Sequence, residues 1–281
     1  MKLELFRSLW GYAEQRDRAC HEARGAGFSG IEARLPQTPA ERCELGALLA
    51  GEGLAYIAIL FTGGGVLPDQ GLPPAAHLGD LERQLDQAAE LEPRFVNVLA
   101  GNDRWSTAQQ LDFLGQAQEI ARRGGHLCSF ETHRARCLAT PWVTLEIARQ
   151  LPELLFTTDI SHWVVGCERL LDDPADDLAD FVSRVHHIQA RVGYDQGPQV
   201  PHPAAPEYAR ELAFHQRHWE AVWQSQRERG YPVTTLTPEF GPDGYTFRLP
   251  FTGMPIADLW DLNRWMADTQ REHFQRFLHH T

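Results

Sequence analysis

Eight short apolar runs, each followed by a stretch with helical spacing, limit this chain's fold more than any other feature. The runs cover residues 2–6, 30–34, 55–61, 95–100, 126–131, 155–159, 185–191 and 234–239. Helical patterns fall between them, for example at 12–26, 39–51, 80–91, 106–123 and 207–229, and a last one near 255–278 follows the eighth run. Strands alternating with helices read as parallel βαβ units, and eight parallel strands close a barrel. The rival fold, an open doubly wound sheet, usually carries a glycine fingerprint after its first strand. Here that strand runs into Arg7-Ser8-Leu9-Trp10-Gly11 instead. We therefore expect an α/β chain forming a single (β/α)8 TIM barrel. No linker divides it, so residues 1–281 are expected as one domain. The Pro/Gly-rich stretches 63–74, 193–206 and 238–255 each follow a strand. They are expected as βα loops at the barrel end where active sites are built.

Composition narrows the chemistry. The formal net charge is −12, which disfavours binding to phosphate backbones and anionic membranes. Lys2 is the only lysine. Schiff-base chemistry on a buried lysine is thereby excluded, as is a P-loop. Carbonyl chemistry here needs another electrophile, and a metal ion is the natural substitute. The five cysteines, at 20, 43, 128, 137 and 167, are odd in number and form no CxxC pair. Free thiols in a reducing compartment follow. The N-terminal stretch meets Arg7 and Glu14 too early for a signal peptide, and no apolar run is long enough to span a bilayer. The expectation is a cytoplasmic protein with no membrane or nucleic-acid partner.

Four successive strands end in groups suited to a metal. They are Glu131 and His133 on the fifth, Asp159 and His162 on the sixth, His187, Gln189 and Arg191 on the seventh, and Glu239 on the eighth. Side chains at i and i+2 share a strand face. Glu131 thus aligns with Ser129 and His133, Glu239 with Thr235 and Thr237, and His187 with Gln189 and Arg191, while His186 points away. Two Glu, one Asp and a neutral Gln or His form a hard ligand set that suits Mn²⁺ or Mg²⁺, with Co²⁺ or Zn²⁺ also acceptable. Such an ion also offsets carboxylates that are costly to bury unpaired.

The order Glu131, Asp159, His187/Gln189, Glu239 resembles the xylose-isomerase-like TIM barrels, the sugar phosphate isomerase/epimerase family, over nearly the whole chain. The resemblance implies one divalent metal ion and a small-molecule carbohydrate substrate. In the ketose 3-epimerase branch the sixth strand carries DxxH, matched by Asp159 and His162. The Asp binds metal there and the His contacts substrate. Glu131 and Glu239 match the two glutamates that bind metal and exchange the substrate proton. Where epimerases place a metal-binding His, this chain has Gln189, and hydroxypyruvate isomerases are similar in having Gln there. The run from Arg191 to Gln199 also resembles a group of sugar phosphate isomerase/epimerase-like proteins.

The implied activity is isomerisation or epimerisation of a small sugar, polyol-derived ketose or hydroxy-carbonyl acid through an enediolate. Glu131 and Glu239 are the expected acid–base pair and also ligands, with Asp159 and Gln189 as further ligands. His133, His162, His187 and Arg191 are the expected substrate contacts. Three alternatives share the fold: an inosose-dehydratase-like lyase, an endonuclease-IV-like repair enzyme, and a non-catalytic sugar-binding barrel. Plainer roles also exist. Glu131 and Asp159 could cap helices, and His162 could pack beside Trp163. His133 and His187 could be packing groups, Arg191 could pair with a structural carboxylate, and Glu32 reads as a structural group at the barrel mouth. A homodimer built through barrel helices is compatible with this reading, although no residue marks an interface.

Overall fold

The computed structural model describes residues 1–242 and 244–280. Eight strands form a closed, all-parallel barrel in chain order. They are β1 (Lys2–Ser8), β2 (Gly30–Arg34), β3 (Ala55–Phe61), β4 (Val96–Leu99), β5 (Cys128–Glu131), β6 (Phe156–Thr158), β7 (Val185–Ala190) and β8 (Val233–Pro238). Closure is made by β1 against β8, with Leu3 opposite Thr234 and Leu5 opposite Leu236. The helices are α1 (Arg16–Gly25), α2 (Pro39–Glu52), α3 (Pro74–Ala89), α4 (Thr107–Arg123), α5 (Pro141–Gln150), α6 (Ser161–Cys167), α7 (Ala179–Val182), α8 (Ala209–Glu228) and α9 (Leu259–His280). No helix among the described residues is long and apolar enough to cross a membrane.

Local chemistry explains where elements start. Thr38 and Glu41 form a reciprocal capping box at the head of α2, with Pro39 in its first turn, and Ser106 with Gln109 does the same for α4. The expected helix 12–26 is in fact a 3-10 turn, Ala13–Gln15, leading into α1. The expected helix 80–91 begins earlier, at Pro74, where a proline suits a first helical turn. The final helix starts at Leu259 rather than near 255, because 248–255 close a small turn with a bridge between Arg248 and Pro255. Strands β4, β5 and β6 are shorter than expected: β4 loses Phe95 and Ala100, β5 starts at Cys128, and β6 stops at Thr158, one residue before Asp159.

The apolar core divides into two. Most of it lies between sheet and helices. A small plug of Phe6, Ile57 and Phe95 fills the lower barrel. Gly30 makes that plug possible, because a Cβ there would overlap the Ala55 carbonyl and the Phe6 ring. Above the plug the interior turns polar, and this places the candidate site.

Helix α8 supports the same end from outside. Its His215 donates from Nδ1 to the Glu211 carbonyl at 2.8 Å and accepts the Gly193 N–H at Nε2, 3.2 Å away, so only the neutral ring satisfies both. His218 bonds Thr158 Oγ1 at 2.9 Å. Burial pushes His215 down to about 4 and His218 to about 3. An unfolded histidine titrates near ~6.5, so between about pH 4 and 6.5 the unfolded chain binds more protons and stability falls as pH drops. The expected loss is about 1.4 kcal/mol per pH unit for each such histidine. Urea denaturation midpoints between pH 7.5 and 5 check this, and His218→Gln should flatten the slope. An unchanged slope in that variant would count against the account.

Candidate metal and active site

The interior side chains above the apolar plug come from strands on opposite sides of the barrel, and they meet in two layers. Glu32 of β2 organises the lower one. Its Oε1 accepts from Gln189 Nε2 at 2.8 Å and from Asn97 Nδ2 at 3.2 Å, and its Oε2 lies 3.2 Å from His187 Nε2. Asn97 also donates to Glu131 Oε2 at 2.6 Å, so one amide bridges two carboxylates. His187 Nδ1 is 2.8 Å from Thr235 Oγ1. All these groups are buried. Contacts across the lumen require Glu32, Asn97, His187 and Gln189 to face inward, as strand alternation demands.

The upper layer forms around Arg191. Its Nη2 contacts Asp159 Oδ2 directly and lies 3.0 Å from Glu239 Oε2. Asp159 Oδ1 accepts from the Ser161 N–H at 3.1 Å and from its hydroxyl at 2.6 Å. Arg134 donates to His162 Nδ1 at 3.1 Å and to the Tyr245 hydroxyl at 3.1 Å. His162 Nε2 lies 3.2 Å from Arg191 Nη2 and 3.4 Å from Asp159 Oδ2. The Arg191 guanidinium lies 4.7 Å from the centre of the Tyr245 ring, and Trp10 meets Tyr245 edge-on at 5.0 Å. A Cβ at Gly241 would overlap the Trp10 ring, so glycine there lets the indole close over the β8 end.

Carboxylates outnumber cations in this interior. Glu131 is held well above the usual carboxylate range, first by burial and then by the charges of Glu239, Asp159 and Glu32. Burial also pushes Glu239 up, to about 8, although Arg191 opposes the shift. Arg191 itself is held even more firmly protonated, since Asp159 and Glu239 outweigh its own desolvation. Burial lowers His133 to about 3 and holds His162 well below the ordinary histidine value, so both rings are neutral.

The structure brings the eight expected residues together, in unequal roles. A cavity of about 1220 Å³ opens above the barrel, and Glu131, His133, Arg191 and Glu239 line it together with Glu32, Trp10 and Tyr245. Asp159, His162, His187 and Gln189 are buried outside that lining. Glu131, His133 and His162 present ligand atoms within 4.8 Å of one another and could hold a metal ion. His133 Nδ1 donates to the Arg134 carbonyl at 2.6 Å, which leaves Nε2 with its lone pair. Of the plainer roles, two are seen here: the ion pair of Arg191 with carboxylates, and Asp159 accepting from the Ser161 N–H at the head of α6. Arg134, which by residue type could read a phosphate, directs its donors to His162 and Tyr245.

The donor set fits a small divalent cation on charge and on chemistry. Four carboxylates, Glu32, Glu131, Asp159 and Glu239, crowd one interior, and Arg191 pairs with two of them, Asp159 and Glu239. The buried Gln189 Oε1 has no hydrogen-bond partner. An orphaned buried carbonyl oxygen beside excess carboxylate is what a hard cation satisfies. Arg191 is the group such an ion would compete with for Asp159 and Glu239.

Sequence reasoning missed Asn97 and Tyr245. Asn97 had a signal, being a polar residue at an inward position of an otherwise apolar strand. Tyr245 had none, because it reaches the site from the long loop after β8.

Residues 20–196 match the family described as xylose isomerase-like TIM barrel. No curated relative matches the sequence. Among solved structures, the apo form of 3-keto-D-glucoside 4-epimerase from E. coli is similar, with 15% identity and a TM-score of 0.63 over 96% of this chain and 100% of that one. A xylose isomerase-like TIM barrel protein from Mycobacterium smegmatis in complex with magnesium gives 14% identity and a TM-score of 0.61 over 85% of this chain and 91% of that one. Endonuclease IV from Thermus thermophilus gives 16% identity and a TM-score of 0.58 over 98% of this chain and 100% of that one. Identities this low speak to the fold alone.

Proposed function

The chain belongs to the xylose isomerase-like TIM barrel family, and from that premise we propose that it is a divalent-metal-dependent isomerase or epimerase of a small hydroxy-carbonyl carbohydrate. The observation that carries this reading is the convergence of Glu32, Glu131, Asp159 and Glu239 beneath one cavity, with Gln189 Oε1 buried and unpartnered. The magnesium complex of the Mycobacterium smegmatis barrel and the epimerase of E. coli support it by analogy. The acidic charge of −12 opposes the nucleic-acid chemistry of an endonuclease.

Glu131, Asp159, Gln189 and Glu239 would hold the ion, with His133 Nε2 in reach of the same group. When bound, it supplies polarisation of a carbonyl and offsets the charge of an enediolate. The protein's own groups do the rest. Glu131 and Glu239, both lining the cavity, take a proton from the carbon beside the carbonyl and return it. Return to the neighbouring carbon isomerises, and return to the opposite face epimerises. Arg191 Nη1 is buried without a hydrogen-bond partner, so it is available to a substrate oxygen. Trp10 and Tyr245 give the sugar an aromatic wall.

The test is metal content of untagged protein by plasma mass spectrometry, followed by solvent deuterium exchange into ketoses and hydroxy-carbonyl acids. About one divalent ion per chain with exchange at a carbon-bound proton is the expected result. A second reading rests on Arg191. If its guanidinium is the only cation for Asp159 and Glu239, the barrel binds its carbohydrate without chemistry. Binding with neither metal nor exchange would then be found.

A further inference from the structure

The cavity has two ends of different charge. Its barrel end carries the acidic cluster. Its outer end, over the tops of β2 and β3, is lined by Arg16, Arg34, Phe61 and Arg83, with Glu14, Glu41 and Asp80 as its acids. Two of those acids are committed. Glu41 Oε2 accepts from Thr38 N at 3.0 Å and from its hydroxyl at 2.9 Å, and Asp80 pairs with Arg83. Also in this lining are Glu14 and two guanidinia that make no hydrogen bond or ion pair with any described residue, those of Arg16 and Arg34.

Arg34 is placed for a ligand. It ends β2 two positions after Glu32, so it projects on the same inner face, one layer nearer the mouth. It pairs in register with Ile59, two residues before Phe61, and its guanidinium lies 4.7 Å from the centre of the Phe61 ring. That ring contact orients the planar fork without using its donors. Arg34 and Glu239 line the same cavity, so the two belong to one site. Elsewhere around the site the arginines are engaged, Arg134 with His162 and Tyr245 and Arg191 with Asp159 and Glu239, and of Arg191 the buried Nη1 is left over beside the acidic cluster. The cavity, at about 1220 Å³, also exceeds what a three-carbon acid fills.

We propose that Arg34, assisted by Arg16, binds an anionic group at the far end of the substrate, a carboxylate or a phosphate, while the carbonyl end faces Glu131 and Glu239. This rests on the isomerase reading for the orientation of the substrate, and it makes that substrate a sugar acid or a sugar phosphate rather than a neutral sugar. A fixed guanidinium fork matches either oxyanion through paired N–H donors.

Three probes of one carbon skeleton test it: D-fructose, D-fructuronate and D-fructose 6-phosphate. Calorimetry gives their affinities, and proton NMR in deuterium oxide gives exchange. At least one anionic probe should bind about tenfold or more tighter than fructose, as expected of a charge-assisted bidentate contact. The uronate and the phosphate distinguish the two anions. In Arg34→Gln the anionic-to-neutral ratio should fall towards one, and Arg34→Lys should keep part of it. Arg83→Gln, which removes a cation already paired with Asp80, should leave the ratio intact. Melting curves confirm that each variant folds. Equal affinity for all three probes, a ratio unchanged in Arg34→Gln, or no binding of any probe overturns the proposal. Arg34-dependent anion binding without deuterium exchange upholds it and counts against the isomerase reading alone. Exchange of fructose with no anion preference does the reverse.

Discussion

Glu239→Gln is expected to lower turnover about a thousandfold with a verified substrate while the protein stays folded, a loss typical of removing a positioned acid–base group. Glutamine keeps the shape and the accepting oxygen but cannot carry the proton. The same change removes one of the carboxylates that crowd Glu131 and Asp159. Denaturation midpoints should therefore hold or rise, which separates a chemical defect from a folding one. Glu131→Gln should behave alike, because its amide oxygen can still accept from Asn97 Nδ2, now 2.6 Å from Glu131 Oε2. Turnover of either variant near that of the parent would remove these residues from the proton-transfer role.

The second large effect is on stability. Arg191→Met takes away the guanidinium that contacts both Asp159 and Glu239 and leaves two buried acids uncompensated. Breaking a buried ion pair from one side costs about 3–5 kcal/mol. Urea denaturation in the presence of a chelator should show a loss of that size at neutral pH. It should shrink as the pH falls and the carboxyls take up protons. Adding Mn²⁺ should restore part of it if the acids are metal ligands. A variant as stable as the parent in chelator would show that Arg191 is not what holds these charges in the barrel.

Much of this was legible along the chain, because it depends on period and position. The eight apolar runs and the helical stretches between them were enough for the barrel, since closure follows from strand number. Glu131, Asp159, Gln189 and Glu239 stood out because each falls at a strand end, and the i, i+2 rule assigned the faces of Glu131, Gln189 and Glu239. Helices α5, α6 and α7 were not singled out. α6 and α7 are 7 and 4 residues long, too short for a periodic signal. Arg34 also passed unnoticed, since a charged residue closing a strand reads as solvated until its neighbours are known.

What the sequence by itself determined is the order of elements and the residues the barrel carries to its mouth, because those follow from local spacing. Only the tertiary structure decided which of them touch. Arg191, read as a substrate contact, lies between Asp159 and Glu239. Glu32, read as structural, collects Gln189, Asn97 and His187 from strands far apart in the chain. Tyr245 reaches Arg134 across 111 residues. The physical reason is that charge pairing in a closed lumen is a matter of distances across the barrel, and strand alternation gives only the side on which a residue stands.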